Sequence, residues 1–188
     1  MTDIVDHRLL EARQCESPNW NERPEGEVSL IVVHGISLPV GHFGNDYVEK
    51  LFQNLLDTGI HRDFGDLANG RVSSHLFIRR DGAVVQFVPF DRRAWHAGIS
   101  RFGERENCND FSIGIELEGT DTGGYTDAQY VALASVCRRL MKEYAITKEH
   151  IVGHSDIAPV RKTDPGPAFD WTRFRAMLKE TGQSSLEL

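Results

Sequence analysis

Three side chains that can bind a metal ion or move a proton lie in one short segment near the C-terminal end of the chain. The segment GHSDIAPVRKTDPG, at 153–166, contains His154, Lys162 and Asp164. Its two prolines exclude a regular helix, since proline lacks an N–H donor and clashes with the preceding turn. An imidazole and a carboxylate on irregular backbone are a usual pair in hydrolytic zinc sites, provided that a third ligand comes from elsewhere. The alternative is a capping or turn pair that binds no metal.

His34 is the leading candidate for the third ligand. It ends the apolar run VSLIVVH at 28–34, which predicts a buried central strand. The carboxyl ends of strands in α/β sheets commonly carry ligand-binding groups. The alternative is a hydrogen-bonded histidine at the edge of the core. His75 and His96 are weaker candidates: each can be a hydrogen-bonded core group, a groove wall or an outer partner of the site.

Glu116 is the candidate acid–base group. The segment SIGIEL at 112–117 alternates as a strand does, which puts Glu116 on the same face as Gly114 and Glu118. Two carboxylates on one sheet face are normally just its solvated side. Gly114, however, leaves space beside Glu116, and a strand holds a general base rigidly within reach of a proton. Both interpretations stay open at this point.

The rest of the pattern predicts a mixed α/β (α+β) fold, in which helices flank a central mixed sheet that contains a hairpin. The hairpin is expected at Asp81-Gly82, a dipeptide typical of tight turns between antiparallel strands. A capping box at Thr126 and an N-cap at Asp170 each predict the start of a helix. The predicted strands are 28–34, 74–80, 83–88, 112–117 and 151–153, and the predicted helices are 46–56, a long one from Thr126 and a last one from Asp170.

Composition narrows the class of protein. With 188 residues, the chain is expected to form one domain over 1–188. Its net charge of −7 argues against nucleic-acid binding, which needs clustered cations. The three cysteines predict free thiols, and no stretch is apolar enough to span a membrane. The N-terminus has acidic residues and no apolar signal region, which favours a cytoplasmic protein, expected to be monomeric.

Five segments taken together resemble the zinc N-acetylmuramoyl-L-alanine amidases, most closely the cytosolic branch that acts on 1,6-anhydro-muropeptides. They are IVVH at 31–34, SSHLFIRRDG at 73–82, AWHAG at 94–98, CNDFSIGIELEGTD at 108–121 and GHSDIAPVRKTDPG at 153–166. The resemblance implies that His34, His154 and Asp164 bind Zn²⁺. It further implies that Glu116 is the catalytic acid/base and that Lys162 stabilises the transition state.

The resemblance also implies a substrate. This branch cleaves the amide between anhydro-N-acetylmuramic acid and L-alanine in muropeptides recycled from the cell wall, which indirectly affects β-lactamase induction. The expected partner is therefore a small muropeptide, with neither nucleic acid nor membrane involved. Candidate substrate contacts are Arg71, which can grip a carboxylate, Trp95, which can offer a flat wall to the sugar, and Arg105.

Three positions depart from the pattern of this branch. Gly35 stands where Asn is usual after the first ligand, Asp63 where many relatives have Tyr, and Asn107 where an arginine is expected. These changes affect specificity rather than the hydrolytic core. Two rival functions remain: a non-catalytic muropeptide-binding module, and a broad-specificity wall amidase.

Overall fold

The computed structural model describes residues 3–67 and 69–179. Its strands are β1 (Ile4–Val5), β2 (Arg8–Leu9), β3 (Arg13–Gln14), β4 (Trp20–Glu22), β5 (Leu30–Ile36), β6 (Leu76–Ile78), β7 (Val84–Gln86), β8 (Arg92–Ala94), β9 (Arg101–Phe102), β10 (Arg105–Glu106), β11 (Ser112–Glu118) and β12 (Ile151–Gly153). Its α-helices are α1 (Tyr47–Phe52), α2 (Asp127–Tyr144), α3 (His154–Ile157) and α4 (Trp171–Lys179). Short 3₁₀ helices lie at Arg62–Leu67, Cys108–Asp110 and Lys148–His150.

The central sheet is mixed, as the sequence predicts. Its strand order is β12-β5-β11-β6-β7-β3. The four strands β12, β5, β11 and β6 run parallel, whereas β6 and β7 form the antiparallel hairpin. Because the four parallel strands share one direction, their carboxyl ends meet at one edge of the sheet.

The two faces of the sheet are covered differently. One face packs against α2 and α4, with a core formed by Ile31, Val33, Ile113, Ile115, Leu117, Leu133, Val136, Leu140 and Phe174. We call the opposite face, which carries Val32, His34, Gly114 and Glu116, the site face. The helix α1 packs on this side against Phe77, whose partner in the strand register is Glu116. The predicted alternation along both central strands is therefore confirmed.

The hairpin is also confirmed, but its strands are shorter than predicted and its turn differs in detail. At Asp81-Gly82 only the glycine has a positive φ, of 86°. The N–H of Gly82 donates to the carbonyl of Arg79, and the N–H of Arg79 donates to that of Ala83. This pattern is a type I turn followed by a glycine bulge, which needs positive φ at one residue only.

The helix predicted over 46–56 is wrong at its C-terminal end, since α1 stops at Phe52. Asn54 adopts a left-handed conformation, with φ of 60°, and the N–H of Leu55 donates back to the carbonyl of Lys50 at 2.7 Å. That bond closes a Schellman-type helix end. The apolar spacing continues past the helix, but Leu55 is 67% exposed and contributes nothing to the core.

The predicted helix caps are confirmed. Thr126 and Gln129 form a reciprocal capping box at the start of α2, and Asp170 accepts the N–H of Arg173 at the start of α4. The three cysteines are free thiols. Within the described parts of the chain, no helix has the length and apolar character needed to cross a bilayer.

Candidate active site

Strand register places two of the predicted site residues side by side. Glu116 of β11 is the direct partner of His34 of β5, so both side chains leave the site face at the same level. On the other side of β5, Gly153 pairs with Val33, and His154 follows at once as the first residue of α3. Three parallel strands therefore deliver an imidazole, a carboxylate and a second imidazole to one edge of the sheet.

His34, His154 and Asp164 converge on one point. The Nδ1 atoms of the two histidines lie 2.9 Å apart, and Oδ2 of Asp164 lies 3.2 Å from His34 Nδ1 and 3.1 Å from His154 Nδ1. Two ligands held about 2.0–2.2 Å from one ion cannot be much more than 4 Å apart. The spacing of the three donor atoms therefore satisfies the requirement for a shared metal ion, and these residues can hold one.

The other nitrogen of each imidazole has its own partner. Nε2 of His34 lies 2.9 Å from Nδ1 of His96, and Nε2 of His154 lies 3.1 Å from the carbonyl oxygen of Ala97. Metal-binding histidines usually make such a bond through the nitrogen that does not bind the ion. The two rings are thus held with Nδ1 directed at the common point.

The protonation states suit metal binding at neutral pH. Burial lowers the pKa of His34 to about 4, so the ring is neutral and its lone pair is free. Burial alone would raise the pKa of Asp164, but hydrogen bonds with His154 and His34 lower it below its ordinary value. The carboxylate is therefore ionised, as a ligand must be.

Glu116 is not on a solvated face, so the simpler explanation of its position is wrong. Every residue of β11 is buried, and Glu116 itself is 9% exposed. Its Oε2 atom has no hydrogen-bond partner among the described residues. Burial and the charge of Asp164 raise the pKa of Glu116 well above 4.5, while Lys162 opposes that rise. A buried carboxyl with a free oxygen and a raised pKa is suited to proton transfer.

The space beside Glu116 is filled rather than open, contrary to the expectation from Gly114. A Cβ atom added at Gly114 would lie 2.5 Å from Cγ of His96. The glycine therefore admits the imidazole of His96 against the sheet, where its Nδ1 reaches His34.

The loop after α3 is held in place by its backbone. The N–H of Ser155 donates to the carbonyl of Asp164 at 2.9 Å, and the N–H of Lys162 donates to that of Ala158 at 2.9 Å. These bonds bring the half-buried Lys162 and Asp164 back towards His154. Lys162 and Asp164 approach Glu116 because the loop follows this path. The spacing of residues in the sequence does not predict the path.

Sequence reasoning missed Tyr125. A Cβ atom at Gly35 would lie 2.3 Å from the Tyr125 hydroxyl, which donates to the carbonyl of Pro165 at 2.9 Å. Tyr125 thus occupies the space that a side chain at position 35 would take, next to two of the ligands. Nothing in the pattern around Tyr125, which precedes the Thr126 cap, indicates this placement.

The predicted substrate contacts lie at different places. Trp95 is half-buried and donates its indole N–H to Asn21 at 2.7 Å, next to His96 in the chain. Arg71 is exposed and lines a small depression beside α1. Arg105 makes a bidentate ion pair with Glu27, with N···O distances of 2.8 and 2.9 Å. Their role in substrate binding stays a prediction.

A sequence profile of the N-acetylmuramoyl-L-alanine amidases matches residues 24–167. This span contains all five candidate metal and catalytic residues, namely His34, Glu116, His154, Lys162 and Asp164. The chain belongs to this amidase family. It is 57% identical over 175 residues to the 1,6-anhydro-N-acetylmuramyl-L-alanine amidase AmpD of Escherichia coli strain K12, covering 92% of this chain and 96% of the relative. It is 54% identical over 179 residues to AmpD of Citrobacter freundii, covering 95% and 96%.

Solved structures of amidases have the same fold. A crystal structure of a selenomethionine AmpD derivative superposes with a TM-score of 0.91 at 54% identity, covering 93% of this chain and 98% of that one. The amidase AmiD of Escherichia coli, solved with the substrate anhydro-N-acetylmuramic acid-L-Ala-D-γ-Glu-L-Lys, superposes with a TM-score of 0.60 at 29% identity, covering 80% and 57%.

His75 is expected to make the fold of this amidase less stable in acid. Its Nδ1 accepts the N–H of Gly114 at 3.0 Å, and its Nε2 lies 2.9 Å from the carbonyl oxygen of Arg92, so the ring is a hydrogen-bonded core group. Burial, followed by the charge of Arg23, lowers its pKa to about 3. The unfolded chain binds a proton at this histidine below about pH 6.5, whereas the folded chain does not, so stability falls as the pH falls.

We therefore expect His75→Gln to reduce the pH dependence of stability. Between about pH 5.5 and 4, the free energy of unfolding falls as the pH falls. The slope of this fall should be smaller in the variant than in the wild type, by about 1.4 kcal/mol per pH unit. Urea unfolding in the presence of a chelator measures both slopes. His42→Gln, at an exposed position, is the control and should retain the wild-type slope. Equal slopes for His75→Gln and the wild type would contradict the expectation.

Proposed function

We propose that this chain hydrolyses the amide between 1,6-anhydro-N-acetylmuramic acid and L-alanine in muropeptides, using one Zn²⁺ bound by His34, His154 and Asp164. One observation carries the proposal: three donor atoms meet within 2.9–3.2 Å beside the buried carboxyl of Glu116. The names of the AmpD relatives, and the anhydromuropeptide bound to AmiD, support the substrate class.

Zinc suits this donor set. Two neutral imidazoles and one carboxylate are typical of catalytic zinc sites, which keep one position open for water or substrate. When bound, such an ion lowers the pKa of a coordinated water to about 7 and polarises a carbonyl oxygen.

Glu116 is the proton carrier in this proposal. Its unpartnered oxygen accepts a proton from the attacking water and then delivers that proton to the nitrogen of the leaving L-alanine. Its raised pKa makes the return of the proton easier than it would be for an ordinary glutamate. The rigid strand β11 keeps the carboxyl at a fixed distance from the site throughout.

Lys162 supplies positive charge where negative charge develops. Burial raises the pKa of Glu116 and lowers that of His34, and the charge of Lys162 opposes the first shift and adds to the second. When water adds to the amide carbonyl, the oxygen of that carbonyl becomes an oxyanion, and a nearby cation stabilises it more than it stabilises the ground state.

The biological setting belongs to the same proposal. We assign the reaction to the recycling of cell-wall muropeptides in the cytoplasm, by a single-domain monomer. The three free thiols accord with a reducing compartment. Release of the peptide from the anhydro sugar would also lower any muropeptide signal that induces β-lactamase.

The test combines metal analysis with product analysis. Purified protein is assayed for zinc, then incubated with anhydro-N-acetylmuramyl tripeptide and, separately, with intact sacculi, and the products are identified by mass spectrometry. We expect about one zinc per chain, release of the tripeptide, loss of turnover in EDTA and its recovery on addition of Zn²⁺.

Two aspartate variants test whether turnover depends on the bound metal. Asp164→Asn removes a ligand and should abolish both zinc binding and turnover, whereas Asp170→Asn keeps a good N-cap at α4 and should change neither. Binding of the tripeptide without cleavage would favour a non-catalytic module. Efficient cleavage of sacculi would favour a broad-specificity wall amidase.

A further inference from the structure

We propose that His96 is a positioning residue of the metal site, and that Asn109 holds it there. In this inference, which rests on the proposed zinc site, His96 accepts the Nε2–H of His34 and so keeps Nδ1 of His34 available to the metal. Among the described residues, Asn109 makes no hydrogen bond to either ligand histidine, yet it supports both through the segment between Trp95 and Ala97.

Metal binding by His34 constrains which nitrogen of each ring carries the hydrogen. To bind a metal through Nδ1, a neutral His34 must carry its hydrogen on Nε2, which lies 2.9 Å from Nδ1 of His96. That nitrogen of His96 must then be the acceptor, so its own hydrogen lies on Nε2. The Nε2 atom is 3.1 Å from the hydroxyl oxygen of Ser112, which can accept the hydrogen. One consistent set of hydrogen positions on His34 and His96 therefore links the metal position to Ser112.

The shape of the site fixes the ring of His96. Its plane stands nearly perpendicular to that of His34, at 86° and 5.1 Å between centroids, and it also packs edge-on against His75 at 5.7 Å. The absence of a side chain at Gly114 admits the ring, since a Cβ there would be 2.5–2.8 Å from three of its atoms. The imidazole is thus enclosed on its sheet side and cannot slide away from His34.

Asn109 anchors the segment that carries these contacts. Its Oδ1 accepts the backbone N–H of His96 at 3.1 Å and that of Ala97 at 2.8 Å, and the residue is 6% exposed. The carbonyl of Ala97 in turn accepts a hydrogen bond from Nε2 of His154 at 3.1 Å. The same carbonyl also accepts from the guanidinium of Arg161 at 2.6 Å. The buried amide of Asn109 therefore helps to position the partner of each ligand histidine.

Two substitutions of His96 separate its positioning role from simple space filling. In His96→Asn, Oδ1 can take the place of Nδ1 and accept the hydrogen from His34. In His96→Gln, the amide reaches the place of Nε2, near Ser112, and leaves His34 without its acceptor. Zinc dissociation constants are measured by competition with a chromophoric chelator, and folding of each metal-free variant is checked by circular dichroism.

We expect His96→Gln to weaken zinc binding about 10–100-fold, the usual effect of losing an outer partner of a ligand. His96→Asn should recover most of that loss. Asn109→Ala should also weaken binding, because both ligand histidines lose a fixed partner. His150→Gln is the control: that ring bonds the carbonyl of Ser29 and packs edge-on against Phe102, and its loss should leave the zinc affinity unchanged.

The outcomes separate this inference from the proposed function. If the wild type binds no zinc, the metal site and the inference fall together. If the wild type binds zinc and His96→Gln binds it equally well, only the inference is overturned. Long-range ¹H–¹⁵N spectra of the zinc-loaded wild type give a check that needs no variant. They should show His96 as the Nε2–H tautomer, and a hydrogen on Nδ1 would refute the proposal.

Discussion

Replacing Glu116 with glutamine is expected to lower kcat by about 10²–10⁴-fold, the range for loss of a general acid–base group. The amide has nearly the same shape as the carboxyl but cannot accept the proton of the attacking water. Zinc binding should persist, because Glu116 is not one of the three converging donors. Steady-state kinetics on the anhydro-muramyl peptide, together with zinc analysis of the same sample, measures both quantities.

Glu118 provides a matched control for that substitution. It lies on the same strand and the same face, it is 3% exposed, and its oxygens accept the backbone N–H groups of Gly44 and Arg80. Glu118→Gln should therefore reduce stability while kcat stays close to that of the wild type. A normal kcat in Glu116→Gln would remove Glu116 from the mechanism.

The second large effect is expected for Lys162→Ala. Loss of a group that stabilises an oxyanion typically lowers kcat by about 10²–10³-fold, equivalent to about 2.7–4 kcal/mol in the transition state. Zinc affinity should not fall, since Lys162 is a cation beside the ligands and contributes no donor atom to the cluster. Measuring kcat and the zinc dissociation constant on one preparation distinguishes the two effects.

Two further variants test whether the effect depends on the charge and the position of Lys162. Lys162→Arg keeps the charge and should retain part of the turnover, with geometry limiting the rest. Lys142→Ala, at an exposed position of α2, is the control and should behave as the wild type. If Lys162→Ala loses zinc along with turnover, the residue holds the loop of Asp164 in shape and has no separate role in the transition state.

The sequence predicted the elements of the sheet well where the pattern was long. Alternation in 28–34 and 112–117 correctly separated the core positions from those of His34 and Glu116. It could not predict that Glu116 stands level with His34, because strand register depends on how neighbouring strands pack, not on either strand alone. Strands of two residues, such as β1 and β9, are too short for any period to appear.

The cluster of His34, His154 and Asp164 was predictable only in part. His154 and Asp164 share one segment. The strand position of His34, 120 residues before His154, made it a candidate for the third ligand, but only the family resemblance favoured that role over a core histidine. The burial of Glu116 could not be inferred at all, because a polar sheet face looks the same in sequence whether solvent or other side chains cover it. Here the ring of His96, admitted by Gly114, contributes to that cover.

Burial of the Glu116 carboxyl lowers the stability of the folded chain near neutral pH. An acid whose pKa rises on folding keeps its proton in the native state at pH values where the unfolded chain has already released it, so the native state loses stability as the pH rises above about 4.3. An apolar residue at this position would relieve that penalty, but it would also remove the proton carrier of the proposed function. Under the proposed function, this position therefore favours turnover over stability.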